Sequence, residues 1–202
     1  MVPFKLAVLV SGRGSNLQSI MDSIKEGRLK AQISIVVSNK ADAYALKRAQ
    51  NYGIPARYLN EQDYPHRREY DESLANLVQE YNPDLVVLAG YMRILTPEFL
   101  LRFPNKVINI HPALLPSFPG LNAQKQALAY GVKVTGCTVH YVDSGVDTGP
   151  IIAQKAVPVM DNDSVDSLSA RILEQEHLLY PEVIKWISEG RVRIEGRKVI
   201  VY

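Results

Sequence analysis

The segment Val107-Ile-Asn-Ile-His111-Pro112 carries the residue types that acyl-group chemistry needs. It reads as a short apolar strand running into a proline, interrupted at spacing two by Asn109 and His111. Side chains at i and i+2 of a strand point to one face, which predicts an amide and an imidazole side by side. A buried parallel strand is ordinarily apolar throughout. Here Ile108 and Ile110 keep one face apolar. The other face offers a donor for a developing oxyanion and a group that moves a proton.

Four further segments have residues suited to ligands. Ser11-Gly-Arg-Gly-Ser-Asn16-Leu17 follows an apolar run and opens a helical pattern. Glycines let backbone approach an anion, and the amides of a helix N-terminus point at it. Ser15 and Asn16 add donors and can cap the helix. Leu17 stands where a dinucleotide fingerprint has its third glycine, and Ser38-Asn39-Lys40 lacks the acidic residue for a ribose diol. A single phosphate therefore fits better than a pyrophosphate; a tight, well-capped strand–helix turn is the plainer alternative. In Gly90-Tyr-Met-Arg-Ile-Leu95, Met92, Ile94 and Leu95 can line a flat apolar cleft for an aromatic ligand, or simply continue the core. Asp143-Ser-Gly-Val-Asp147-Thr-Gly-Pro150 is a glycine-rich loop with two carboxylates and without calcium-loop spacing. It is a solvated turn, or it brings a carboxylate to His111, favouring the imidazolium and raising its pKa. Val165, Leu168, Ile172 and Leu179 form a helical stripe with Glu176 in its gap. An inward carboxylate needs a partner, either a substrate amine or amide or an internal salt bridge. Arg67 can reach an anionic tail, although most arginines are solvated surface. His66 and His177 lie on helical segments, and His140, near Cys137 and beside Tyr141, reads as a structural histidine. No histidine pair has metal-ligand spacing, and no G-x-S-x-G elbow is present.

The elements that position these residues alternate. Apolar runs predict strands at 6–10, 33–38, 56–59, 85–89, 107–110, 136–141 and 151–157. Helical periodicity covers 16–26, 44–52, 66–81, 97–101, 123–130 and 165–188. The segments 192–194 and 198–201 around Glu195-Gly196 predict a small hairpin. This pattern gives an α/β fold: a mostly parallel, twisted sheet with helices on both faces and an antiparallel C-terminal part. One domain over 1–202 is expected. Ligands in such sheets sit at the carboxyl ends of the strands, where 11–16, 90–95, 109–112 and 143–150 fall.

Composition narrows the class. The chain has 202 residues, 47% hydrophobic and 22% charged, as in an ordinary soluble globular protein. A net charge of +2 implies neither nucleic acid nor a membrane surface. The single Cys137 excludes an internal disulfide framework and a thiolate metal cluster, and fits a reducing cytosol. The N-terminal apolar run is too short to span a bilayer and lacks the layout of a signal peptide.

Taken together the chain resembles the folate-dependent formyltransferases. The resemblance is carried by Ser11–Leu17, Ser38-Asn-Lys-Ala-Asp42, Val87–Leu95, Asn109-Ile-His-Pro-Ala-Leu-Leu-Pro116, Pro119-Gly120, Val146-Asp-Thr-Gly-Pro-Ile151 and Gln175-Glu-His177, in order along nearly the whole chain. The Gly-Ser-Asn loop is similar to that of the branch acting on glycinamide ribonucleotide. The resemblance implies a Rossmann-like fold and transfer of a formyl group from 10-formyltetrahydrofolate to the amine of that nucleotide, in purine biosynthesis. It implies Asn109, His111 and Asp147 as the catalytic trio. Nucleotide contacts would be Gly12, Arg13, Gly14, Ser15, Asn16 and Glu176. Folate contacts would be Arg67, Met92, Arg93, Ile94, Leu95, Asn109, Tyr141, Val142, Asp143 and Asp147. No metal, nucleic acid or membrane is expected, and the protein would be a cytoplasmic monomer or homodimer. Two departures stand out. Ala113 replaces the serine common after His-Pro, and Asp-Thr-Gly-Pro replaces Asp-Gly-Gly-Pro, which stiffens the loop. Alternatives are a formyltetrahydrofolate hydrolase, another formyltransferase on the same scaffold, or a nucleotide-binding module without catalysis.

Overall fold

A computed structural model describes residues 3–202. The strand order of the main sheet is β3-β2-β1-β4-β5-β6-β7, with β8 and β9 forming a separate hairpin. The chain divides into two compact units, Met1–Ile108 and Asn109–Tyr202.

In the first unit, β1 (Phe4–Val10), β2 (Ala31–Ser38), β3 (Ala56–Tyr58) and β4 (Leu85–Leu88) are all parallel. Their residues are largely β-branched or leucine, and Leu6 to Val10 and Val86 to Val87 are fully buried, as strands covered on both faces must be. Helices α1 (Ser15–Lys25), α2 (Tyr44–Asn51), α3 (Arg67–Glu80) and α4 (Pro97–Arg102) follow the strands in turn. β1 pairs with β2 on one side and β4 on the other. The order reverses there, so the carboxyl ends of β1 and β4 flank a crevice of the kind that holds ligands in doubly wound sheets.

In the second unit, β5 (Val107–His111, its last three residues in this unit) runs into the His-Pro turn. Helix α5 (Ala123–Tyr130) precedes an antiparallel pair, β6 (Val134–Tyr141) and β7 (Ile151–Pro158). The long helix α6 (Val165–Ser188) buries Leu168, Ile172, Leu179, Val183 and Ile184. Ser164 and Ser167 form a reciprocal capping box at its start. Val165, assigned above to the inward stripe, is 41% exposed: it is the first residue past the cap, ahead of the turn that meets the core. The final hairpin is β8 (Val192–Glu195) and β9 (Lys198–Val201). The sequence-based elements agree with these to within two residues, and a one-turn 3₁₀ helix, Glu61–Asp63, was not expected.

Close contact of β6 with β7 depends on Gly136. A Cβ there would lie 1.9 Å from the Lys155 carbonyl oxygen and 2.9 Å from the Leu114 side chain. Gly136→Ala should destabilise the protein by about 1–3 kcal/mol, read as a lowered urea midpoint at unchanged slope. A wild-type midpoint would contradict this packing.

Candidate active site

In the first unit the loop after β1 is fixed from three directions. Ser11 donates its hydroxyl to Asn39 Oδ1 (2.6 Å) and its amide to the Gly90 carbonyl (3.1 Å), and its Oγ accepts the Met92 amide (2.8 Å). The Ala45 amide donates to the Gly12 carbonyl (3.1 Å), and Arg48 Nε donates to the Arg13 carbonyl (2.9 Å). The segments after β1, β2 and β4 thus meet at one place. Gly14 has φ +72°, and a Cβ on it would strike Ala45 Cβ at 2.6 Å. Glycine is required there for both backbone and packing. Gly14 is also the N-cap of α1. Neither Ser15 nor Asn16 caps the helix, as the sequence suggested, because both already lie inside its first turn. The first amides of α1 consequently lack a capping side chain at Gly14 and suit an anion.

The segment after β4 splits by residue. Met92 and Ile94 are 66% and 48% exposed, whereas Leu95 is 2% exposed and belongs to the core. Only the first two offer apolar side-chain surface to a ligand. Arg93 is ion-paired to Glu61 and lies over the Tyr70 ring, 4.4 Å from its centroid. Lys40 and Arg93 hold the Glu61 carboxyl below its usual range, against a smaller opposing effect of burial. Arg67 donates to the Ile94 carbonyl from an exposed position, tying α3 to this segment.

The second unit contains the whole proposed catalytic trio and one residue more. His111, 4% exposed, places Nδ1 3.2 Å from Asp147 Oδ2 and Nε2 2.8 Å from the Phe118 carbonyl oxygen. Both partners are acceptors, so the pair is satisfied in full only by the imidazolium. Asp147 Oδ2 also accepts the Gly120 amide (2.8 Å). His140 donates Nδ1–H to the Tyr141 carbonyl (2.8 Å), which leaves Nε2 as an acceptor in the neutral ring. Asn109 Nδ2 lies 3.3 Å from that Nε2, and Asp147 Oδ1 lies 3.6 Å from it. Asn109 and His111 leave the same strand and are connected through His140 and Asp147. One amide proton of Asn109 faces His140.

Electrostatics in this cluster run partly against the sequence-based expectation. Burial pushes the His111 imidazole below its ordinary value. Asp147 and the Phe118 carbonyl act in the opposite direction but do not overcome it. The carboxylate is adjacent, as anticipated, yet the net shift is downward. For Asp147 burial pushes upward, while the approach of His140, the Gly120 amide and His111 prevail and hold the carboxyl below its usual range. Glu176 faces inward on α6 and is buried, as its place in the stripe predicted. Tyr141 is buried, and Val142 and Asp143 are half-buried at the start of the loop.

His140 is the site residue that sequence reasoning set aside. The signal was present: Thr138 and His140 interrupt apolar β6 at spacing two, the pattern that singled out Asn109 and His111 in β5. Thr138 is buried, donates to the Ala113 carbonyl (2.6 Å) and accepts the Leu115 amide (3.0 Å), so it anchors the turn after His111. Among the described residues no group of three or more His, Cys, Asp or Glu is arranged to hold a metal ion, and no helix is long and apolar enough to cross a membrane.

Residues 4–184 match the model of the formyl transferase family. The chain belongs to that family. It is 46% identical over 191 residues to the phosphoribosylglycinamide formyltransferase of Haemophilus influenzae, covering 95% of this chain and 90% of that one. It is 47% identical over 190 residues to the human trifunctional purine biosynthetic protein adenosine-3, covering 94% of this chain and 19% of that one. The crystal structure of glycinamide ribonucleotide transformylase 1 from Symbiobacterium toebii superposes with a TM-score of 0.97 at 52% identity, over 98% of this chain and 94% of that one. The family's fold accounts for the mostly parallel sheet followed by antiparallel strands.

The His111 shift has a defined consequence. Its folded-state value lies below 6.5, so the unfolded chain takes up this proton first as pH falls. The neutral ring's contribution to stability is present above 6.5 and declines as pH drops through the window between 6.5 and the folded value. Asp147→Asn removes the carboxylate that opposes the shift. Proton NMR titration of the His111 ring should give a still lower value in that variant, and an unchanged or higher value would contradict the shared-carboxylate geometry.

Proposed function

We propose that the chain transfers the formyl group of 10-formyltetrahydrofolate to the amine of 5-phosphoribosylglycinamide, giving the formylated nucleotide and tetrahydrofolate in purine biosynthesis. The observation that carries this reading is the partly buried Asn109–His140–Asp147–His111 network in a member of the formyl transferase family. Its donors suit an acyl-transfer oxyanion, and the family supplies the formyl group as the acyl unit.

The neutral amine attacks the formyl carbon, and the carbonyl oxygen becomes an oxyanion. The second amide proton of Asn109 donates to it. His111, when protonated, donates from Nε2, the substrate oxygen replacing the Phe118 carbonyl as acceptor. Asp147 supports that charged form through Nδ1. The amine proton passes to N10 of the departing folate by way of His111 or water as the tetrahedral adduct collapses. Holding two substrates in attack geometry supplies much of the acceleration. In the first unit, Gly12, Arg13, Gly14, Ser15 and Asn16 hold the 5′-phosphate, and Met92, Arg93, Ile94 and Leu95 with Arg67 serve the folate, Leu95 and Arg93 through their backbone. In the second unit, Tyr141, Val142, Asp143, Asn109 and Asp147 serve the folate and Glu176 the glycinamide. The protein works in the cytoplasm as a monomer or homodimer.

A spectrophotometric assay with 10-formyl folate and the ribonucleotide acceptor tests the reading. Turnover should require the acceptor and be lost in His111→Ala. Asn109→Ala should lower kcat by about 10²–10³-fold with nucleotide affinity little changed. Near-normal turnover in Asn109→Ala would overturn the oxyanion role. Deformylation that ignores the acceptor would indicate a hydrolase, and nucleotide binding without formyl transfer a binding module.

A further inference from the structure

The C-terminal hairpin has no part in the reading above, and it lies beyond residue 184, where the match to the family model ends. Its two strands are joined by Gly196 and Arg197. Gly196 has φ +60°, which the first position of such a two-residue turn demands. The hairpin is closed at its open end, where the Tyr202 amide donates to the Arg191 carbonyl (3.0 Å) and Arg191 Nε to the Tyr202 carbonyl (2.6 Å). β9 also rests against β7. Arg197 is therefore held at the tip of a braced element. From there its Nη1 donates to the Thr148 carbonyl at 2.8 Å, across 49 residues of sequence.

Thr148 is the neighbour of Asp147. The hydroxyl of Thr148 donates to Asp143 Oδ1 (2.6 Å), which also accepts the Gly145 amide (3.1 Å). Its carbonyl is the group that Arg197 takes. Gly149 follows, packed so that a Cβ would lie 1.8 Å from the Tyr141 carbonyl oxygen. Asp147 itself has φ +55°, a left-handed conformation unfavourable for a side-chain-bearing residue. Its own carboxylate contacts and the clamps on Thr148 have to offset that strain. Ser144, Gly145 and Val146 are exposed and contribute no core packing, so a few polar bonds decide where this loop rests.

We propose that Arg197 is a positioning residue for the reaction, holding the loop that presents Asp147 to His111 by way of the Thr148 carbonyl. It acts through the loop backbone, by its bond to the Thr148 carbonyl. The family core supplies the chemistry, and this chain's hairpin fixes the geometry of one of its members. The catalytic part of the inference rests on the formyl-transfer reading; the positional part does not.

The test uses the full chain with R197Q, R197K and, as a control in the same hairpin, R193Q, whose side chain pairs with Glu195. R197Q should lower kcat by about threefold to tenfold, the scale of one ordinary hydrogen bond at an exposed position, with ribonucleotide affinity unchanged. R197K should recover part of the loss and R193Q none of it should show. Hydrogen exchange of the 143–149 amides should quicken in R197Q. The His111 titration should move downward, toward its position in Asp147→Asn, which a general loss of stability would not produce. Wild-type exchange and an unmoved His111 titration in R197Q would overturn the proposal. If the wild-type chain shows no formyl transfer, the functional reading fails, while exchange and titration still decide the role of Arg197.

Discussion

A carboxylate in a buried site must be matched by donors, and the second unit is arranged around this requirement at Asp147. An isolated ionised group of that kind would simply take up a proton. Burial pushes Asp147 upward, but it stays below its ordinary range because His140, the Gly120 amide and His111 approach its oxygens, the last two meeting at Oδ2. Those neighbours fix much else. The Gly120 contact commits the turn after Phe118, and His111 commits the end of β5. His140 commits β6, whose own backbone carbonyl at Tyr141 sets the tautomer. The loop on which Asp147 sits then accepts a left-handed backbone at that position. Removing the charge would leave the Gly120 amide and the His111 Nδ1–H with a weaker common acceptor.

The first unit satisfies a different constraint, which is to leave backbone amides available while keeping their loop rigid. It does so with carbonyl contacts. Ala45 and Arg48 bind the carbonyls of Gly12 and Arg13, so the loop is held through its carbonyl groups. Ser11 joins the ends of β1, β2 and β4 through one hydroxyl and one amide. The absence of a Cβ at Gly14 lets α2 come close enough to make these contacts.

Much of this was legible in the residues. Hydrophobic period placed every strand and α-helix, because the parallel strands are apolar on both faces and the helices carry clear stripes. Asn109 and His111 announced themselves as polar interruptions of such a strand. His140 makes the same interruption in β6, but only the fold shows that β6 delivers its ring to Asp147. The sign of the His111 shift was also out of reach, because it depends on how deeply the ring is buried and not on whether a carboxylate is near. Capping by Ser15 or Asn16 was a local inference that failed at a single residue: a left-handed Gly14 starts the helix one step earlier. The tie from Arg197 to Thr148 joins positions that no periodicity connects.

The uncapped start of α1 has a thermodynamic side. A serine or aspartate at an N-cap is worth about a few tenths of a kcal/mol over glycine, and Gly14 has no side chain with which to bond those amides. The first unit gives up that increment when empty. A phosphate seated on those amides would act as the missing cap, so that occupancy and folding become linked equilibria. A protein that took a phosphate there would gain stability as the logarithm of its concentration above the dissociation constant, so that protection from melting would report occupancy of the loop.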